Sequence, residues 1–162
     1  SGNSKFDRFM RHEENLTTQE MMGFTIFNTE KGDCFHCHSL PLMSDNEMHN
    51  IGLDSIFTGP NTGYFNFTGN QADLGKFKSP SLRNVALRSS FMHDGRFTTI
   101  DQVINHYNNE VKLSPSLDPI MTKPGKEFGL ALTPFDIEAL KAFLSTLTDS
   151  SVTTNPEFAT PF

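Results

Sequence analysis

The sequence contains no tryptophan, only two cysteines and two tyrosines, and no long apolar run. Each shortage excludes something. Two cysteines cannot build the multi-bridge framework of a small secreted disulfide scaffold. Without the roughly 18 consecutive apolar residues that a bilayer crossing needs, no membrane span is expected. The first residues show no basic segment followed by an apolar core, so any export leader lies upstream of Ser1 or has been removed. Only 13 basic residues stand against 19 acidic ones, a net charge of −6. Nucleic acid is therefore not an expected partner, because neutralising phosphates needs an excess of Lys and Arg. What is present, 162 residues of which 36% are hydrophobic and 20% charged, suits one core or at most two domains. The 16 phenylalanines supply nearly all the aromatic mass.

Both cysteines fall in one pentapeptide, Cys34-Phe35-His36-Cys37-His38. Three chemistries use a C-x-x-C pair: thiol-disulfide exchange, half of a zinc site, and covalent attachment of a c-type haem. The histidine that follows separates them. In haem attachment both thiols add to vinyl groups as thioethers, and the next side chain lies over the iron, so Cys34 and Cys37 are the attachment residues and His38 the proximal ligand. A redox dithiol is expected beside a βαβ pattern, which the sequence does not offer. A zinc site needs a second pair of ligands, for which only His36 and His49 offer themselves. Attached haem also implies an oxidising compartment, periplasmic or exported.

The rest of the chain reads as helices separated by irregular segments, an all-α fold. Residues Phe6 to Met10 suggest one or two helical turns. Thr17 with Glu20 is a capping box that opens a helix from Thr18 to about Asn28. Gly23 sits in its middle, which is costly unless another backbone crosses closely there. The haem motif occupies a short helical turn. From Ser39 to Ser79 turn residues recur without helical period, with a short hairpin suggested between Asn50 and Phe67. So long an irregular stretch is explained if Phe57, Phe65, Phe67 and Phe77 pack against a large apolar cofactor. Pro80 to Leu87 reads as helical with Pro80 at the first position. Thr99 and Gln102 form a second box before a helix to about Asn108 that turns Tyr107 inward. Thr133-Pro134-Phe135-Asp136 opens the clearest helix, running to about Leu147. The tail from Thr148 reads as extended.

An electron-transfer haem needs a second axial ligand, and the candidates are Met92, Tyr107, Met121 and His93. Methionine ranks first on general grounds, being the common partner of histidine in cytochromes c. Each candidate also has a purely structural reading: a methionine filling a core gap, a tyrosine hydroxyl bonded to a buried group, a turn histidine. His36, His49 and His106 read as surface residues.

Three segments carry a family resemblance. Phe77-Lys78-Ser79-Pro80-Ser81-Leu82-Arg83-Asn84-Val85-Ala86-Leu87, then Phe91-Met92-His93-Asp94-Gly95-Arg96-Phe97-Thr98-Thr99-Ile100, then His106-Tyr107-Asn108 resemble the C-terminal half of bacterial di-haem cytochrome c peroxidases and their MauG-type relatives. The opening Ser1-Gly2-Asn3-Ser4-Lys5-Phe6-Asp7-Arg8-Phe9 is similar to the stretch joining their two haem domains. The resemblance implies a cytochrome c-like domain at residues 17–148, preceded by a linker-like segment, 1–16, and followed by a tail, 149–162. It moves Tyr107 ahead of Met92 and Met121 as distal ligand, since that position carries methionine in the peroxidases and tyrosine in MauG-type enzymes. It places His93 near the haem propionates, with Arg83 or Arg96 pairing with a propionate. It also implies a calcium ion between the two domains, on backbone carbonyls at the positions of Arg88 and Ser90. Hard cations take six to eight oxygens and the other domain supplies part of that set, so calcium is not expected to be held by this chain alone.

The resemblance implies an electron-transfer domain with one covalent haem c, without catalytic residues of its own. Its expected partners are an N-terminal peroxidatic haem domain and a small soluble donor of cytochrome c or cupredoxin type, together with a second copy in a homodimer. Two other classes stand beside this reading: a single-haem peroxidase with an open sixth position, and a haem-free module using its cysteines for zinc or a disulfide.

Overall fold

The computed structural model describes residues 2–127 and 129–158. Among these, six α-helical segments follow in order: α1 (Lys5–Met10), α2 (Thr18–Phe27), α3 (Phe65–Thr68), α4 (Ile100–Asn109), α5 (Pro134–Thr146) and α6 (Ser151–Thr154). One antiparallel pair joins β1 (Met48–His49) to β2 (Phe77–Lys78), with Met48 opposite Lys78 and His49 opposite Phe77. The chain is mostly helical: α1, α2, α4 and α5 fall where the sequence predicts helices, whereas α3, α6 and this short pair are additions to that expectation.

Local chemistry decides where the main helices begin. Thr17 with Glu20, Thr99 with Gln102 and Thr133 with Asp136 each form a reciprocal capping box. Ser4 with Asp7 forms a fourth, on α1. Each box satisfies two backbone donors that a helix start would otherwise leave unpaired.

The core is built where α2 crosses α5. Phe143, fully buried on α5, is surrounded by the rings of Phe6, Phe24 and Phe27 at centroid distances of 5.2, 5.3 and 5.1 Å. Tilted and edge-on aromatic contacts of this kind are favourable beyond the area they bury. Gly23 is what allows the approach: a Cβ there would overlap the Ala139 carbonyl oxygen and lie 2.8 Å from Phe143 Cβ. The costly mid-helix glycine thus has the cause its position suggested.

Three expectations fail for identifiable reasons. Pro80 to Leu87 is not a helix; only Val85–Leu87 forms a single 3-10 turn. The backbone there bonds to distant partners instead of to itself: Leu82 N donates to Met43 O at 3.2 Å and Asn84 N to Leu147 O at 3.1 Å, with Asn84 at φ +61°. No hairpin forms between Asn50 and Phe67; the strand pairing instead joins the two ends of the long irregular region. The tail is not extended throughout, since Ser151–Thr154 and Pro156–Phe158 are helical turns. Asp149 anchors both ends, accepting from Gly2 N and Asn3 N at 3.0 and 3.1 Å and from Ser151 Oγ at 2.5 Å.

Candidate haem site

Between the irregular segments and the inward faces of α4 and α5 lie two adjoining cavities of about 270 and 100 Å³. Cys34, Cys37, His38 and Tyr107 line both, so the two are compartments of one slot. The attachment turn, Cys34–His36, follows directly on Asp33, whose φ of +61° turns the chain out of the preceding loop. Tyr107 reaches the slot from α4, where it lies three residues after buried Ile104 on the inward face.

The donor chemistry fits a covalently attached haem. His38 Nδ1 lies 3.2 Å from the Met43 carbonyl oxygen, an arrangement that fixes the ring and leaves Nε2 free to serve as a ligand atom. Burial lowers the His38 pKa, keeping the imidazole neutral as a ligand must be. Tyr107 lines both compartments with its phenol shielded from solvent. Burial pushes its phenol well above the ordinary value, so in the protein alone it is neutral. A ferric ion beside it would reverse that preference.

The thiols speak against redox chemistry of their own. Burial, reinforced by Asp33 at Cys34 and by Asp45 at Cys37, pushes both up to about 12. A reactive dithiol needs an electropositive setting that favours thiolate, and this one is electronegative. Both are free cysteines, with Cys34 Sγ donating to Gly32 O at 3.3 Å. A metal-type grouping of Cys37, Asp45 and His49 does form, their ligand atoms lying within 4.8 Å of one another.

The remaining candidates divide. Met92, at φ +70°, and His93 line the larger compartment, and Met121 lines the smaller one. His93 is stacked on Phe77 at 3.7 Å with its Nε2 3.0 Å from Asn61 Oδ1. Arg83 and Arg96 line neither compartment. Arg83 binds both Asp7 oxygens, at 2.8 and 3.1 Å, and the Pro41 carbonyl. Arg96 is paired with Asp54 at 2.6 Å and Asp94 at 2.7 Å. The cations that do line the slot are Lys78 and Arg88 in the larger compartment and Lys126 in the smaller. Of the four loop phenylalanines, Phe57 and Phe77 line it, Phe65 does not, and Phe67 is 88% exposed.

Two histidines read as surface residues are not. His106 is 2% exposed with Nε2 2.9 Å from the Ile51 carbonyl oxygen. His49 is held between Asp118 and Asp45, a pairing that no local sequence signal announces because Asp118 lies 69 positions away. A strap over the smaller compartment was equally illegible: Lys123 pairs with Glu30 and Asp33, and Lys126 with Asp33 at 3.2 Å.

No protein-family model matches the chain. Individual proteins do. It is 34% identical over 181 residues to the methylamine utilization protein MauG of Paracoccus denitrificans (strain Pd 1222), covering 90% of this chain and 46% of that protein. It is 32% identical over 174 residues to the cytochrome-c peroxidase IdrP2 of Denitromonas iodatirespirans, covering 91% and 44%. A solved MauG-like protein associated with microbial copper homeostasis superimposes with a TM-score of 0.91 at 31% identity, over 99% of this chain and 52% of that one. The chain belongs to the di-haem cytochrome c peroxidase and MauG family. It spans about half the length of the curated relatives it matches. Membership supports a haem cofactor for the slot. No described helix is long and apolar enough to cross a membrane.

Proposed function

We propose that this chain is a c-type haem domain that transfers electrons and leaves peroxide chemistry to a second haem domain of the same family architecture. One observation carries the reading: His38 and Tyr107 line the same slot as both cysteines, so side chains that would hold the iron of an attached haem stand beside the residues that would tether it. When bound, the haem supplies a one-electron couple whose potential depends on its axial ligands and surroundings. Cys34 and Cys37 would tether it. His38, its Nδ1 on Met43 O, presents Nε2 in one orientation. Tyr107 would supply an oxygen that, ionised, would favour the ferric state.

Phe57 and Phe77 exclude water from the slot edge, which lowers the local dielectric and the reorganisation that accompanies a charge change. The reading extends to an oxidising compartment, an N-terminal peroxidatic partner domain and a small soluble donor. Calcium, if present in the whole protein, would be shared with that partner domain.

The test is the matured protein, made in a periplasm with haem attachment machinery. Its intact mass should include one haem, and its ferric spectrum should be low-spin and indifferent to cyanide. Tyr107→Phe should change that spectrum. A high-spin ferric protein that binds cyanide would instead indicate an open sixth position and a peroxidase in its own right. Colourless matured protein carrying zinc or a Cys34–Cys37 disulfide would end the haem reading.

A further inference from the structure

We propose that His49, clamped between Asp45 and Asp118, is the proton-binding group coupled to the electron at the haem position, a positioning residue that sets the site's potential through its charge. This rests on the electron-transfer reading above and adds to it a specific residue and a measurable linkage.

The geometry is that of an imidazolium. Nδ1 lies 2.6 Å from Asp118 Oδ2 and Nε2 lies 2.7 Å from Asp45 Oδ2. Only the protonated ring donates at both nitrogens, and a neutral ring would face one carboxylate lone pair to lone pair. The three side chains are 17%, 19% and 22% exposed, sheltered enough for their fields to escape most screening by salt.

The clamp is also fixed to the attachment turn. Asp45 N donates to Cys37 O at 2.9 Å, and Asp118 N donates to Asn50 O at 3.0 Å, one residue beyond His49. His49 itself is held in register opposite Phe77 and lines the larger compartment of the slot. The backbone that carries the ring is thus fixed, and a change of charge on the ring is a change beside the slot.

The sign follows from the groups that face His49. Burial draws its pKa down, but the hydrogen bonds it donates to Asp118 and Asp45 outweigh this and hold it above the ordinary 6.5. His38 feels the field of His49. Lys78, opposite Met48 on β2, sends its Nζ to Asn46 Oδ1 at 2.7 Å. Cys37 is neutral as thiol or thioether. With the proton on, the clamp carries one negative charge; with it off, two. Loss of the proton thus favours the oxidised state, and the potential should fall as pH rises through the titration of His49.

The experiment is a spectroelectrochemical titration of the matured holoprotein at a series of pH values from about 5 to about 9. Wild type should show a midpoint that falls with pH. His49→Gln should start lower at acid pH, lack that slope, and converge with wild type at alkaline pH, where His49 has lost its proton and both proteins carry an uncharged side chain at this position. Asp118→Asn, which keeps the imidazole and removes one carboxylate, should move the slope to lower pH; it also serves if His49→Gln does not assemble. Parallel curves for wild type and His49→Gln, or an Asp118→Asn slope that stays in place, would overturn the proposal. Wild type lacking covalent haem would remove the functional reading itself, an outcome visible in the mass and spectrum before any potential is measured.

Discussion

Replacing Gly23 by alanine sets two physical effects of opposite sign against each other. In an isolated or exposed helix the change stabilises by about 0.5–1 kcal/mol, because glycine loses more backbone freedom on folding. Here the new methyl would overlap the Ala139 carbonyl oxygen and stand 2.6 Å from the carbonyl carbon. Its neighbours are α5 backbone and the Cβ of Phe143, neither of which can swing aside as a long side chain would. The two helices must separate, and Phe143, fully buried, loses its fit to Phe6, Phe24 and Phe27. Overpacking of this kind costs about 1–3 kcal/mol, and backbone contact puts the cost at the upper end, so it exceeds the propensity gain. The expected net loss is about 1–2 kcal/mol.

Urea unfolding of the holoprotein, followed by far-ultraviolet circular dichroism, measures it. With m on the order of 2 kcal/mol per molar for a chain of this size, the midpoint should drop by about 0.5–1 M at unchanged m. Thr25→Ala, on the exposed face of the same helix, is the control and should be close to neutral. A Gly23→Ala protein as stable as wild type, or more so, would refute the close crossing as the reason for that glycine.

Two further substitutions test the tethering of the irregular half. Asn108, buried at the end of α4, accepts from Leu132 N at 2.7 Å and donates to Leu132 O at 3.3 Å; Asn108→Ala strands both backbone groups and should cost about 2–4 kcal/mol in the same urea assay. A loss under about 0.5 kcal/mol would mean that water replaces the amide. Asp149 is held down to about 2 by its hydrogen bonds from Ser151, Gly2 and Asn3, against an ordinary 3.8. A depressed carboxylate contributes stability that is present above its unfolded value and lost as pH falls through the folded one. The advantage of wild type over Asp149→Asn should therefore shrink by up to about 2 kcal/mol between pH 5 and 2. An advantage that does not vary with pH would show that the carboxylate charge is immaterial to the tether.

The helix starts were legible because a capping box is local: Thr17, Thr99 and Thr133 meet their partners three residues on, whatever the rest of the chain does. The short helical turn at Cys34-Phe35-His36 was legible for the same reason, since it too is closed by contacts a few residues apart. The Pro80 to Leu87 segment misled because its apolar spacing is compatible with a helix, while its backbone donors found Met43 O and Leu147 O across the fold. Nor could charge type reveal that Arg83 and Arg96 are committed to Asp7, Asp54 and Asp94 whereas Arg88 lines the slot.

What the amino-acid order determined by itself, then, was the set of interactions spanning a few residues: caps, the attachment motif, the inward face of α4 that carries Tyr107. Tertiary structure decided which groups separated by tens of residues meet, above all the clamp of Asp45 and Asp118 on His49 and the strap of Lys123 and Lys126 over Asp33. The physical reason is that an ion pair carries no periodicity. Its partners are chosen by the path of the backbone, which only the folded chain reveals.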